Sequence, residues 1–161
     1  MSVAEIMKNM VAYSQRNLHD IDHFLKVWAY AKAIGELEGL GPEEQTVLEV
    51  AAITHDIACP LCREKYGNTG GKNQEREGAV LAREFLQDSG LRESQIDRVV
   101  YLVGHHHTYT AIEGLDYQIL VEADYLVNAG ESGYSEEQRR TFAKNVFQTE
   151  TGRALLQAVF N

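Results

Sequence analysis

Apolar residues along this chain recur at three- and four-residue steps, the spacing of one α-helix face, and strand-like alternation is scarce. Ile6, Met10 and Tyr13 mark a first amphipathic helix. The longest stripe runs from about Asp22 to Leu40 through Phe24, Val27, Trp28, Ala31, Ile34 and Leu37, and Gly39-Leu40-Gly41 ends it. Pro42 suits the first turn of the next helix, and Glu43 and Glu44 suit its positive end. That helix continues through Val47, Leu48, Val50 and Ala51 to His55.

Residues 57 to 74 break the pattern, and the polar, glycine-rich run Tyr66 to Asn73 reads as a loop. A helix from about Gln74 to Gly90 carries Ala79, Ala82, Phe85 and Leu86; another from Glu93 to about His106 carries Ile96, Val99, Val100 and Val103. After a loop from Thr108 to Asp116, Tyr117 to Ala129 is helical again. Ser135-Glu136-Glu137-Gln138 is a capping box that opens a last helical region, broken near Gly152. The pattern predicts one all-α domain over residues 1–161, a bundle of six or seven helices.

Length and charge narrow the classes. A chain of 161 residues can bury a real core, and no apolar stretch reaches the ~20 residues of a membrane span. The first residues lack the basic and apolar regions of a signal peptide, so a cytoplasmic protein is expected. A net charge of −9 argues against a nucleic-acid polymer or a membrane surface as partner. It leaves room for a small anion in a local basic pocket, and for a homodimer. Cys59-Pro60-Leu61-Cys62 has no second pair to complete a zinc site and no strand-helix-strand context for a redox fold, so two reduced thiols in a loop are expected.

The chemistry centres on His55-Asp56, which ends the apolar run Val50-Ala51-Ala52-Ile53-Thr54. Polar groups at such a place cost several kcal/mol unless something pairs with them. His23 lies near the apolar face of the long helix, and Asp124 stands in the middle of Ile119–Val127, a mostly apolar helix. Glu122, two residues from Asp124, falls on another face and is expected to reach solvent. His19 precedes the predicted helix start and is left out of the set. A shared metal would resolve His23, His55, Asp56 and Asp124 at once. Two imidazoles with two carboxylates suit Mn, Fe, Co, Ni, Zn or Mg.

This ordered His…His-Asp…Asp set on a helical domain resembles the HD-domain metal-dependent phosphohydrolase superfamily. The resemblance spans about residues 20–130, including Asp22-His23-Phe24, Thr54-His55-Asp56, Glu77-Gly78-Ala79, Gly104-His105-His106 and Ala123-Asp124-Tyr125. It implies a helical bundle in which His23, His55, Asp56 and Asp124 hold one divalent metal. It also implies hydrolysis of a small phosphoester, a nucleotide above all, by a water activated on that metal. Members with two metals usually carry a further histidine before the Glu-Gly-Ala segment; here Gln74 and Glu75 stand there, which counts against a second metal.

His105 and His106 match positions of further family histidines and are assigned to substrate binding, with His106 also a catalytic proton donor beside Asp56. Residues 63 to 83 carry five cations against three carboxylates. Lys65 and Lys72 are the expected phosphate clamps, with Lys72 also neutralising transition-state charge. A diiron oxygenase on the same scaffold, or a metal-containing nucleotide-binding signalling module, are the alternatives.

Overall fold

The helices begin where the sequence supplies a cap and end where it supplies a break, and the computed structural model describes all residues from 1 to 161. α1 (Val3–Tyr13) opens on a Ser2–Glu5 capping box, and α2 (Leu18–Leu37) on an Asn17 side chain that accepts from the Asp20 amide. α3 (Pro42–Thr54) starts at its proline. α4 (Cys59–Tyr66), α5 (Gly71–Leu86), α6 (Glu93–Val103) and α7 (Leu115–Glu131) follow. α8 (Glu136–Asn145) opens on the Ser135–Gln138 capping box, and α9 (Glu150–Phe160) on the Thr149 hydroxyl.

The fold is all-helical, as the periodicity predicts, but it has nine helices rather than six or seven. One addition is α4, which occupies half of the expected loop. Its eight residues bury only Cys59 and Cys62, so it is too short to leave a periodic stripe. Gly67, with φ +73°, ends it in the left-handed conformation that glycine adopts without strain. The other addition comes from the C-terminal region, which breaks at 146–149 rather than at Gly152. Gly152 lies inside α9, buried against Glu122. α2 also starts four residues earlier than its apolar stripe, which places the exposed His19 within it.

The core is a packed trio of α2, α3 and α7, with α6 across α3 and α5 against α6. α7 is buried from Asp116 to Val127 and α3 from Val47 to Thr54, so both are enclosed on nearly all sides. This enclosure overturns the expectation for Glu122. It does lie on a different face from Asp124, but that face is covered by α9 and Glu122 is fully buried. Its carboxylate accepts from Gln118 Nε2, the Gln148 and Thr149 amides and the Thr149 hydroxyl, at 2.6–3.1 Å. Those bonds satisfy a charge that would otherwise be costly to bury. No helix is long and apolar enough to cross a membrane.

Candidate metal centre

The middle of α2, the end of α3 and the middle of α7 meet at one point, and each brings a polar side chain into the core. His23 comes from α2, Asp124 from α7, and His55 caps the C-terminus of α3 with Asp56 next in the chain. His23 Nε2 lies 3.1 Å from both Asp56 Oδ2 and Asp124 Oδ1. His55 Nε2 lies 3.2 Å from Asp124 Oδ1 and 3.4 Å from Asp56 Oδ2. The two Nε2 atoms are 3.2 Å apart. A third imidazole joins from the turn after α6: His106 Nε2 lies 3.5 Å from Asp56 Oδ1 and has no hydrogen-bond partner although buried.

The opposite nitrogen of each ring is already committed. His23 Nδ1 donates to Glu131 Oε1 at 2.5 Å, His55 Nδ1 to the Ala52 carbonyl and His106 Nδ1 to the Val103 carbonyl, both at 2.7 Å. Carbonyl and carboxylate oxygens only accept, so these Nδ1 atoms carry the protons and the neutral rings present Nε2 lone pairs. Three lone pairs and two carboxylates therefore converge with no donor among them. Such an acceptor-only set is resolved by a cation: His23, His55 and Asp56 converge as metal ligands would, and Asp124 Oδ1 joins them within 3.2 Å of both imidazoles, so the four have the ligand types to hold a divalent metal ion.

Without the ion, protons answer the same demand. Burial alone would lower His23 and His55, but Asp124 and Asp56 outweigh it and raise His23 to about 11 and His55 to about 10. The two carboxylates also face desolvation, yet the imidazoles hold both below the usual carboxylate range.

The neighbouring histidines diverge, as residues about 100° apart on a helical turn must. His105 stacks on Tyr101 at 4.0 Å between ring centres, donates to the Tyr101 carbonyl, and stands apart from the cluster. The substrate-binding role expected for it therefore has no geometry to support it. His107, which the sequence reading did not single out, faces the cluster side with Asp56 and His106. Its Nε2 pairs with Gln74 Oε1 at 2.8 Å, while Gln74 Nε2 donates to the Thr69 carbonyl. The carbonyl fixes the amide orientation, so His107 Nε2 must be the donor. Burial, then the proximity of His106, lower His107 to about 4. Glu75 accepts from the His107 amide and the Thr108 hydroxyl and so braces this turn rather than facing the metal ligands.

The basic segment is mostly self-neutralised. Arg63 pairs with Asp20, Arg83 with Glu93 and Asp97, and Arg76 donates to Asn73 and Tyr66. Lys65 pairs with Glu77 at 2.9 Å on the α4–α5 surface. Lys72 has no such partner and is exposed on the first turn of α5. That turn has no side-chain cap, and Gly71 packs so closely on His107 that a Cβ there would meet the histidine Cβ at 3.0 Å. Cys59 and Cys62 are buried and unlinked. Burial and then Asp56 push the Cys59 thiol upward, so it is no thiolate ligand.

Glu131 is the other residue that sequence reasoning missed. It lies seven residues after Asp124, two turns along the same face of α7, and that spacing is the signal that could have found it.

No match is found among the curated proteins. The structure is similar to that of a predicted HD superfamily hydrolase from an uncultured Thermotogales bacterium. Sequence identity is 24%, the match covers 97% of this chain and 82% of that one, and the TM-score is 0.67, a likeness of fold. The model of the HD domain matches residues 20–140, a span that begins just before His23 and closes beyond Glu131, and the chain belongs to the HD-domain family.

Proposed function

We propose that the protein is a metal-dependent phosphohydrolase acting on a small phosphoester, with nucleotides as the substrate class. The observation that carries this reading is the acceptor-only convergence of His23, His55, Asp56 and Asp124, with the unpartnered His106 Nε2 beside it. A divalent ion held there would supply Lewis-acid polarisation of a phosphate oxygen and of the attacking water.

The side chains divide the remaining work. Asp56 directs Oδ2 toward the His23–His55 pair and Oδ1 toward His106, so its free oxygen can orient a water between them. His106, with Nδ1 fixed as donor, offers Nε2 to accept a proton from that water; as imidazolium it returns a proton to the departing oxygen. Lys72 and the uncapped first turn of α5 supply positive potential for the phosphate beside His107. Positioning and charge neutralisation of this kind account for most of phosphoryl-transfer catalysis.

The test is phosphate release from a broad phosphoester panel by protein loaded in turn with Mn, Fe, Co, Ni, Zn and Mg. Turnover should fall by about 10²–10⁴-fold in His106→Ala, the usual span for losing a general acid or base. Lys72→Ala should raise KM more than it lowers kcat. No release under any metal would remove the proposal.

A further inference from the structure

A cavity of about 630 Å³ opens beside the metal cluster, with Asp124 and His107 in its wall. Its other walls come from α7, α8, Tyr109, and Tyr134 and Val146 at the two ends of α8. The volume lies in the range that encloses a small organic ligand. Its chemistry is uneven. Aromatic rings (Tyr109, Tyr125, Phe142) and amides (Asn128, Gln138, Asn145) line it, together with the Glu137 carboxylate, and no lysine or arginine does. Tyr125 stacks on Phe142 at 3.8 Å with rings 3° from parallel, and Tyr109 meets Phe142 edge-on, so the aromatic wall is a rigid unit.

A different groove beside α8 gives the contrast. It contains Arg139, Arg140 and Arg153, along with Glu136, which pairs with Arg140. Cations are thus available on this helix but are kept out of the cavity that adjoins the cluster. A second phosphate in the cavity would meet no counter-charge and would face Glu137, an exposed carboxylate whose like charge repels it through partial solvent screening. A planar, donor-bearing group would find stacking surfaces and acceptors.

Resting on the phosphohydrolase reading, we propose that this cavity receives the organic group of the phosphoester. Glu137 is the specificity residue: it favours uncharged or cationic, donor-rich groups over those carrying a second phosphate. The substrate class is then a phosphomonoester whose organic group carries no second phosphate, a nucleoside 5′-phosphate rather than a nucleoside 3′,5′-bisphosphate.

Equilibrium binding to the metal-loaded full chain tests this without requiring turnover. The probes are adenosine 5′-phosphate and adenosine 3′,5′-bisphosphate. The first should bind at least about tenfold more tightly, a step of ~1.4 kcal/mol. Glu137→Lys should narrow the ratio to below about threefold, the size expected when one partly screened repulsion is replaced by attraction. Glu136→Lys, the same charge change facing the arginine groove, should leave the ratio as it was. Equal affinity in the unaltered protein, no binding of either probe, or a ratio that moves equally in both variants would overturn the inference. Phosphate release from p-nitrophenyl phosphate in the same preparation judges the hydrolase reading separately.

Discussion

His23 Nε2 and His55 Nε2 face each other at 3.2 Å, with both opposite nitrogens already donating to fixed acceptors. Two lone pairs so placed repel, and only a cation between or beside them relieves it. In the metal-free protein that cation is a proton, and in the loaded protein it is the metal. Protons and metal therefore compete for the same atoms.

A pH dependence follows. His23 is raised to about 11 and His55 to about 10 in the folded state, against 6.5 when unfolded. A raised histidine stabilises the fold fully below the unfolded value, and that stabilisation is lost as pH climbs through the folded one. The metal-free protein should thus lose stability steadily from about pH 7 to pH 11. The loaded protein needs both rings deprotonated and should not. Apparent metal affinity should rise with pH, by up to about tenfold per unit for each proton displaced. Thermal melts with and without added metal between pH 6 and 10 check this; a gap that stays constant with pH would contradict it.

Glu131 should matter to metal binding although it is not a ligand. It fixes the tautomer of His23 by accepting from Nδ1 at 2.5 Å. Loss of such a partner typically costs 10–100-fold in metal affinity. Glu131→Ala should show that loss by competition titration with a chromophoric chelator. Glu131→Gln, whose amide oxygen can still accept, should recover part of it. Equal affinity in all three proteins would assign Glu131 to the surface.

The sequence discloses the parts of this arrangement that repeat or stand out locally. Apolar stripes give α2, α3 and α7, and polar residues at the end or middle of those stripes give His23, His55, Asp56 and Asp124. What it hides depends on contacts between distant segments. Lys65 and Lys72 look alike in sequence, yet Glu77 claims the first across the α4–α5 surface. His105, His106 and His107 are consecutive, and only the direction of the turn after α6 tells which enters the cluster. Glu122 shares the apolar run of Asp124, but nothing local reveals the cap of α9, 26–27 residues away, that encloses it.

Gly152→Ala tests that enclosure. A Cβ there would fall 1.9 Å from Glu122 Oε1 and 2.7 Å from Thr149 Oγ1. Neither can retreat without breaking the cap of α9. Overpacking of about 1–3 kcal/mol with ~1 kcal/mol for the cap should destabilise the fold by roughly 2–4 kcal/mol. For a chain of this size the melting temperature should drop by about 5–15 °C. Because α9 contributes nothing to the metal cluster, metal affinity at low temperature should be kept. A variant that melts with the parent would mean that Glu122 moves aside freely.

Gln74 decides how many metals the protein holds. Asp56 has oxygens facing both ligand groups, His23–His55 on one side and His106 on the other, so a second ion beside His106 would lack only further nitrogen ligands. His107 is close enough, but its Nε2 donates to Gln74 Oε1, which leaves only Nδ1 with a lone pair. The Gln74 amide is in turn locked by the Thr69 carbonyl, so the pair cannot reverse its polarity to free Nε2. Gln74 itself adds no imidazole, so one metal per chain is expected in the unaltered protein. Gln74→His removes the acceptor and adds an imidazole at the same buried position, giving His106, His107 and the new ring around Asp56. Metal analysis after saturation and desalting should find one equivalent in the parent and close to two in the variant. Two equivalents in the parent would show that Asp56, His106 and His107 Nδ1 hold a second ion without a further imidazole. One in both would show that the space beside His106 is too small or too polar-poor to hold a second, and that hydrolysis has to proceed on a single ion assisted by His106.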